Sequence, residues 1–317
     1  MSEPVTFSYA AWLQQVLYRR GDGYYTRRRQ RIGRNAESDF YTANCFQPVW
    51  ATLVIEAAVS LLRERGKRTD QFTFIEIGAE PVQSLLKGKP HPFASSEVQR
   101  YGDILAIPDH AVVFANEWLD AQPFHRLIKL DGTWRELGVQ IDTEAGLQET
   151  LLPEYTADVA QVIPRLPTDC PEGYRIDLPL GAEKQLAQVV QPGWQGVMLL
   201  ADYGKTWQEL TKNCPQGTAR AYHKHRQCDD LLARPGEQDI TCHVCWDRLE
   251  ALLRRQGFTA VQTQRQEAFF IQRARAAMTA IFNEHPDSLH PNRRALHELL
   301  HPGYLGHAFQ VLQACRF

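Results

Sequence analysis

FIEIGAEP, residues 74–81, is the stretch on which the fold turns. An apolar run from Phe72 takes in one acid, Glu76, and ends at Gly78. A glycine after a buried strand marks a sharp turn, and a parallel α/β sheet opens its ligand-binding loops at such strand ends. The Walker pattern of glycines followed by lysine is completed nowhere in the chain, so the loop is not spelled as a phosphate cradle.

Two more apolar runs follow the first, AVVFAN (111–116) and GVMLLA (196–201), the latter ending at Asp202. All three are continuous rather than alternating, so both faces of each strand are expected to be covered. Helical patterns fall between them, which predicts a parallel or mostly parallel α/β sheet with the 120–190 region inserted as a subdomain. In such sheets ligands sit at the carboxyl ends of the strands. The groups expected there are Glu76-Ile77-Gly78, Asn116-Glu117 and Asp202-Tyr203-Gly204. Acids and glycines at strand ends suit a ligand with hydroxyls and amines better than one with phosphates.

Around these strands the punctuation is clear. From Phe46 the apolar residues Trp50, Leu53, Ala57 and Leu61 recur at helical spacing, with Pro48 in the first turn and Gly66 as the stop. LIKL and TWRELGVQI flank Asp131-Gly132, a tight-turn pair, and predict a hairpin over 124–141. Further helices are expected at 246–256 and about 265–283.

Composition narrows the function classes. The chain has 317 residues, 44% hydrophobic and 23% charged, with a net charge of −2, so no global field favours nucleic acid or an anionic membrane. No apolar run reaches the length of a membrane span, and the N-terminus does not read as a signal peptide. Seven cysteines, an odd number scattered along the chain, do not resemble a disulfide framework, and a reducing cytoplasm is the expected setting.

Four constellations could carry chemistry. Asn116-Glu117-Trp118-Leu119-Asp120 places an amide and two acids after an apolar strand, at the mouth of the sheet. HELLHPGYLGH (297–307) spells H-E-x-x-H through His297, Glu298 and His301, with His307 beyond, the pattern of a zinc hydrolase. Against it, Pro302 follows the second histidine, the glycine is displaced, and no methionine turn can follow Met278. Cys242 and Cys245 form one C-x-x-C near Cys228, His223 and His225, at a spacing that fits no standard zinc module, so buried thiols are expected. The arginines at 27, 28, 29, 31 and 34, next to Tyr24 and Tyr25, could track a nucleic-acid backbone or form a solvated loop, and the near-neutral chain favours the loop.

Taken in order, these segments resemble the MidA-like family of S-adenosylmethionine-dependent methyltransferases. Leu17-Tyr18 and Gly23-Tyr24-Tyr25 are similar to its LY…GYY opening, and Ser38-Asp39-Phe40-Tyr41-Thr42 to its GDFYT. FIEIGAEP stands where the family has ELGPGRG, and ANEWLDAQPFHR (115–126) where it has NEFFDALP. The longest match starts at ADYGKTW and runs through residues 217–246, taking in Gly217, Arg220, Tyr222, His225, Pro235, Gly236, Asp239, Thr241, His243 and Val244. GYLGHAFQVL (303–312) resembles the family's closing block.

The resemblance implies a Rossmann-like class I methyltransferase sheet with flanking helices and an inserted α+β subdomain. Its expected layout is an N-terminal lid segment (1–45), a core (46–120 and 191–317) and the insert (121–190). The cofactor implied is S-adenosyl-L-methionine, and the reaction methyl transfer to a protein, arginine-type acceptor. Glu76 and Gly78 would hold the cofactor's amino-acid end, with Asn116 beside them, Asp103 toward the adenine amine, and Asp39, Tyr41 and Thr42 closing over it. Glu117 and Asp120 would face the acceptor. A protein substrate or partner is expected, without nucleic acid or membrane, and a homodimer is compatible. Two departures stand out: only the first glycine of GPGRG is kept, at Gly78, and the interval from Val82 to Tyr101 is shortened and offers no clear ribose acid. The alternative is a non-catalytic protein of the same fold serving as a binding or assembly factor.

Overall fold

The computed structural model describes residues 4–27, 42–79, 84–142, 144, 146–284 and 287–317. The chain forms two compact units, one from 29–118, 187–203 and 249–317, the other from 1–28, 119–186 and 204–248.

The first unit is built on a six-stranded sheet. Its strands are β1 (Thr73–Ile77), β2 (Ser95–Gln99), β3 (His110–Asn116), β4 (Gln195–Asp202), β5 (Thr259–Arg265) and β6 (Gln310–Arg316), in the order β5-β6-β4-β3-β1-β2. β1 to β4 run parallel and β6 is antiparallel to β4, so the expected mostly parallel sheet is present. β1 pairs with β2 on one side and β3 on the other, so the chain reverses its direction of travel across the sheet between β1 and β3. Such a switch point opens a crevice at the strands' carboxyl ends.

A helix over Val49–Glu64 covers one face, burying Trp50, Leu53, Val54, Ala57 and Leu61. Trp50 packs edge-on against Phe114 of β3 and Phe270, with ring centroids 6.2 and 5.2 Å apart. The helix ends as its glycine predicts. Gly66 is left-handed at φ +65, its N–H donates to Arg63 C=O, and Lys67 N–H donates to Leu62 C=O, the paired bonds of a Schellman cap.

Two expectations change. The helix over about 265–283 is two helices, Gln266–Arg273 and Arg275–Glu284, meeting at Ala274. Between β1 and β3 no helix occurs among the described residues, and β2 is the sole regular element there.

The second unit carries an antiparallel sheet in which Thr133–Asp142 pairs with Val5–Ser8, His125–Leu130 and Gly146–Leu151, and His125–Leu130 also pairs with Arg175–Leu178. The expected hairpin turns at Asp131 (φ +50) and Gly132 (φ +71), the left-handed pair of a type I′ turn. Leu127, Trp134, Ile176 and Leu178 form its core. Arg126 pairs with buried Asp177 at 3.0 Å, and Asp177 also accepts the Thr218 and Ala219 N–H groups, which ties 217–219 to this sheet. Residues 220–241 add a three-stranded sheet of Arg220–His223, Arg226–Cys228 and Asp239–Thr241.

Candidate active site at the sheet switch point

The carboxyl ends of β2, β1, β3 and β4 lie side by side, and they bring Gln99, Gly78, Asn116-Glu117 and Asp202 onto one rim of the first unit. Neighbouring strands are about 4.8 Å apart, so these groups are within reach of one small ligand.

Glu76, one residue inside β1, is 6% exposed and accepts the Leu85 N–H at 2.6 Å. Burial raises its carboxyl to about 7, against the opposing pull of the Leu85 N–H, Arg100 and Lys89. Gly78 is left-handed at φ +77, and its N–H donates to Gln99 C=O at 2.9 Å. A Cβ there would lie 2.9 Å from Trp118 Cδ1, so the room left by the missing side chain is occupied by the indole.

At the end of β3 the backbone is strained. Glu117 is held at φ +48, a conformation that non-glycine residues rarely adopt, while its N–H donates to Ala201 C=O at 2.9 Å. The Asn116 side-chain amide donates to Glu117 Oε1 at 2.9 Å, which fixes the carboxylate at the strand end. Asn116 Oδ1 is buried without a hydrogen-bond partner among the described residues. So is Gln99 Oε1 at the end of β2, whose amide nitrogen donates to Ala106 C=O. Two buried acceptors on one rim are ready for donors that a ligand would bring.

The remaining candidates fall in different places. Asp103 is exposed and accepts the Arg100 N–H at 2.7 Å, closing its own turn after β2. The Thr42 hydroxyl caps the short helix Ala43–Phe46 by accepting the Asn44 N–H at 3.1 Å. Asp120 belongs to the second unit, where it is 2% exposed and its carbonyl accepts the Cys242 N–H. In that unit Tyr25 stacks on Tyr18 at 5.2 Å and donates its hydroxyl to Asp239, and burial raises the phenol further from ionisation. Asp39 and Tyr41 lie outside the described residues, as do Glu80, Val82 and the arginines from 28 to 34.

Gln99 and Trp118 were not singled out by sequence. Gln99 ends a polar edge strand, SSEVQ, that carries no apolar signal. Trp118 acts through a contact with a residue 40 positions earlier, which spacing alone does not reveal.

The histidine motif does not assemble a metal site. The helix Pro291–Leu300 ends before His301, whose Nδ1 accepts the Gly303 N–H at 3.0 Å. His307 faces Glu267 and Arg265 instead. Among the described residues no group of three or more histidine, cysteine or acidic side chains could hold a metal ion. Cys242 and Cys245 are buried free thiols, as expected.

The profile of the family described as "Putative S-adenosyl-L-methionine-dependent methyltransferase" matches residues 78–264, more than half of the chain. The chain belongs to that family. Curated relatives include the mitochondrial protein arginine methyltransferase NDUFAF7 homologues of Drosophila melanogaster, 26% identical over 175 residues (51% of this chain, 37% of the relative), and of Caenorhabditis elegans, 30% identical over 159 residues (49% and 35%). The matched part of the chain thus spans little more than a third of the length of these relatives. A superfamily member from Burkholderia thailandensis, solved bound to S-adenosyl-homocysteine, superposes with a TM-score of 0.83 at 24% identity, covering 98% of this chain and 88% of that one. The fold is therefore that of the class I methyltransferases.

The rim fits the family's cofactor in chemical type. S-adenosylmethionine carries ribose hydroxyls, an adenine amine and an ammonium, all donors. Gln99 Oε1 and Asn116 Oδ1 are buried acceptors awaiting such groups.

Proposed function

We propose that the protein transfers a methyl group from S-adenosyl-L-methionine to a protein acceptor whose nucleophile is an arginine guanidinium. The observation that carries this reading is the switch-point rim, where a left-handed Glu117 is braced by Asn116 and by Ala201 of the adjacent strand. Backbone strain of this kind costs roughly 1–3 kcal/mol and persists where surrounding structure over-determines it, commonly at functional sites. The naming of the curated relatives as protein arginine methyltransferases supports the acceptor class.

When bound, the cofactor supplies a methyl group already activated on a sulfonium. The protein has then to orient the acceptor and accommodate its positive charge. Glu117 offers a fixed carboxylate for that cation. Asn116 and Gln99 are assigned to the cofactor's donors, and Glu76 to its amino-acid end. Transfer of that methyl from the sulfonium would leave the electron pair of the broken bond on sulfur, and the acceptor nitrogen held at Glu117 would release its proton to solvent. A reducing compartment is part of this reading, supported by seven cysteines that are all free.

One observation favours a second reading, a non-catalytic protein of this fold. The Trp118 indole lies on Gly78, the single glycine kept in the loop. Calorimetric titration with S-adenosylmethionine separates the two. Micromolar binding, followed by transfer of labelled methyl to arginine-bearing protein and its loss in Glu117→Gln, is the expected result. No heat at millimolar cofactor sinks the enzyme.

A further inference from the structure

In the second unit, the irregular segment before the strand Arg175–Leu178 meets the short helix Trp207–Lys212, and each side brings a cysteine. Cys170 and Cys214 are half-buried free thiols, open to a small reagent in a way that buried Cys242, Cys245 and Cys315 are not.

Both converge on the last turn of that helix. The Cys170 thiol donates to Thr211 C=O at 3.3 Å. The neighbouring Leu210 C=O accepts the Tyr174 hydroxyl at 3.2 Å, and that hydroxyl accepts the Cys214 N–H at 2.9 Å. The phenol therefore stands where a direct helical bond from Cys214 to Leu210 would close. Asn213 keeps near-helical backbone, at φ −114 and ψ −2, so Cys214 continues the line of the helix. At a rise of about 1.5 Å per residue, Cys214 lies roughly 4.5 Å along the axis from Thr211. Helix carbonyls point toward the C-terminus, so the Thr211 oxygen holds the Cys170 sulfur on the side from which Cys214 follows.

Tyr174 also registers both thiols. Burial raises its phenol, the Cys214 N–H opposes the rise, and the charges of Cys214 and Cys170 add to it. Beyond Tyr174 the two segments run on in parallel, with Arg175 N–H donating to Pro215 C=O at 2.9 Å and Arg175 opposite Gln216. That pairing fixes the approach of one segment to the other.

We propose that Cys170 and Cys214 are a redox modification site that closes to a reversible disulfide with a small disulfide oxidant such as glutathione disulfide. One thiolate attacks a sulfur of the oxidant, forming a mixed disulfide and expelling one glutathione thiolate. The second thiolate attacks the protein sulfur of that intermediate, forming the Cys170–Cys214 bond and expelling the second glutathione. The oxidant takes the electron pair, and the two thiol protons end on the two glutathiones. A disulfide needs Cα atoms roughly 4.4–6.8 Å apart, a spacing suited to two side chains that share one helix turn. In a reducing compartment the pair stays open, as free thiols. Nothing in this site depends on methyl transfer.

Burial raises both thiols, at Cys170 with Asp169 adding and Lys129 and Lys212 opposing. At Cys214, Lys205 and Arg220 oppose the effect of burial, while Glu209 and Asp177 add to it. The thiolate is the attacking species, so closure should quicken as pH rises above neutral.

The test is incubation of the reduced full chain with millimolar glutathione disulfide, an acid quench, alkylation in denaturant and non-reducing peptide mapping by mass spectrometry. All seven cysteines should be alkylated before oxidation and two fewer after it, with one new peptide pair joined through Cys170 and Cys214. The oxidised chain should melt at a higher temperature, and dithiothreitol should reverse both changes. Cys214→Ser should stop at a glutathione adduct on Cys170, and Cys170→Ser should form no link, with thermal melts of the reduced variants checking that each is folded. Seven thiols still alkylated after oxidation, glutathione adducts without a link in wild type, or a link between any other pair overturns the proposal.

Discussion

Gly78 and Trp118 should be energetically coupled, and the size of the coupling can be worked from the structure. An added Cβ at Gly78 falls 2.9 Å from Trp118 Cδ1 and 3.2 Å from its Cβ and Cγ. Carbon atoms in good contact sit about 3.5–4.0 Å apart, so the ring has to shift by roughly half an ångström. Overpacking of this kind costs about 1–3 kcal/mol. Gly78 is also at φ +77, where a residue with a Cβ is strained by about 1–2 kcal/mol more. Gly78→Ala should therefore lower stability by about 2–5 kcal/mol. Trp118→Ala removes a half-buried ring and should cost about 2 kcal/mol, below the range for a fully buried tryptophan. In the double variant the overlap is relieved and the left-handed strain remains, so its loss should fall short of the sum by about 1–3 kcal/mol. Urea unfolding of the four proteins, followed by far-UV circular dichroism so that no signal depends on the deleted indole, measures the cycle. Losses that add to within about 0.5 kcal/mol would show that the indole is not what requires a glycine at 78.

Other perturbations read different parts of the site. Burial raises the Glu76 carboxyl from 4.5 to about 7, so the native state holds the extra proton and stability falls as pH rises through that window; relative to Glu76→Gln, wild type should lose about 3 kcal/mol between pH 4.5 and 7, by denaturant unfolding across pH. Glu117→Gly should relieve the left-handed strain and raise unfolding free energy by about 1 kcal/mol while abolishing methyl transfer; lowered stability would remove the case for strain at this residue. Tyr25→Phe takes a donor from buried Asp239 and should cost about 1–3 kcal/mol by thermal or urea unfolding. His297→Ala should leave methyl transfer unchanged within two-fold, since His301 caps its helix and His307 faces elsewhere.

The legible parts of the fold were those where local pattern and tertiary demand agree. β1, β3 and β4 are continuous apolar runs because both their faces are covered, and the Asp131-Gly132 turn is spelled by residues that tolerate left-handed backbone. β2 was invisible because Ser95, Ser96 and Glu97 are exposed at a sheet edge, where no hydrophobic alternation is required. Its terminal Gln99 was missed with it. Glu117 was legible as an acid at a strand end, yet its left-handed backbone was not, since glutamate has no preference for that conformation. Gly78 was legible as a glycine that must be one, for half the reason: positive φ was foreseeable, and the indole from 40 residues away was not.

The rim also says what kind of ligand it would refuse. Phosphate sites at switch points rely on backbone N–H groups at the start of a helix directly after the first strand, where the helix dipole favours an anion. Here the Gly78 N–H is engaged by Gln99 C=O, and no helix follows β1 among the described residues before β2 begins. The side chains at the rim point the same way. Gln99 and Asn116 present buried oxygens, and Glu117 a fixed carboxylate, all of them acceptors. A phosphate would meet the Glu117 carboxylate and two amide oxygens that offer it no donor. S-adenosylmethionine carries a sulfonium, an ammonium, an amine, hydroxyls and a single carboxylate, and no phosphate. What the family's cofactor lacks is the one group this rim is not built to hold.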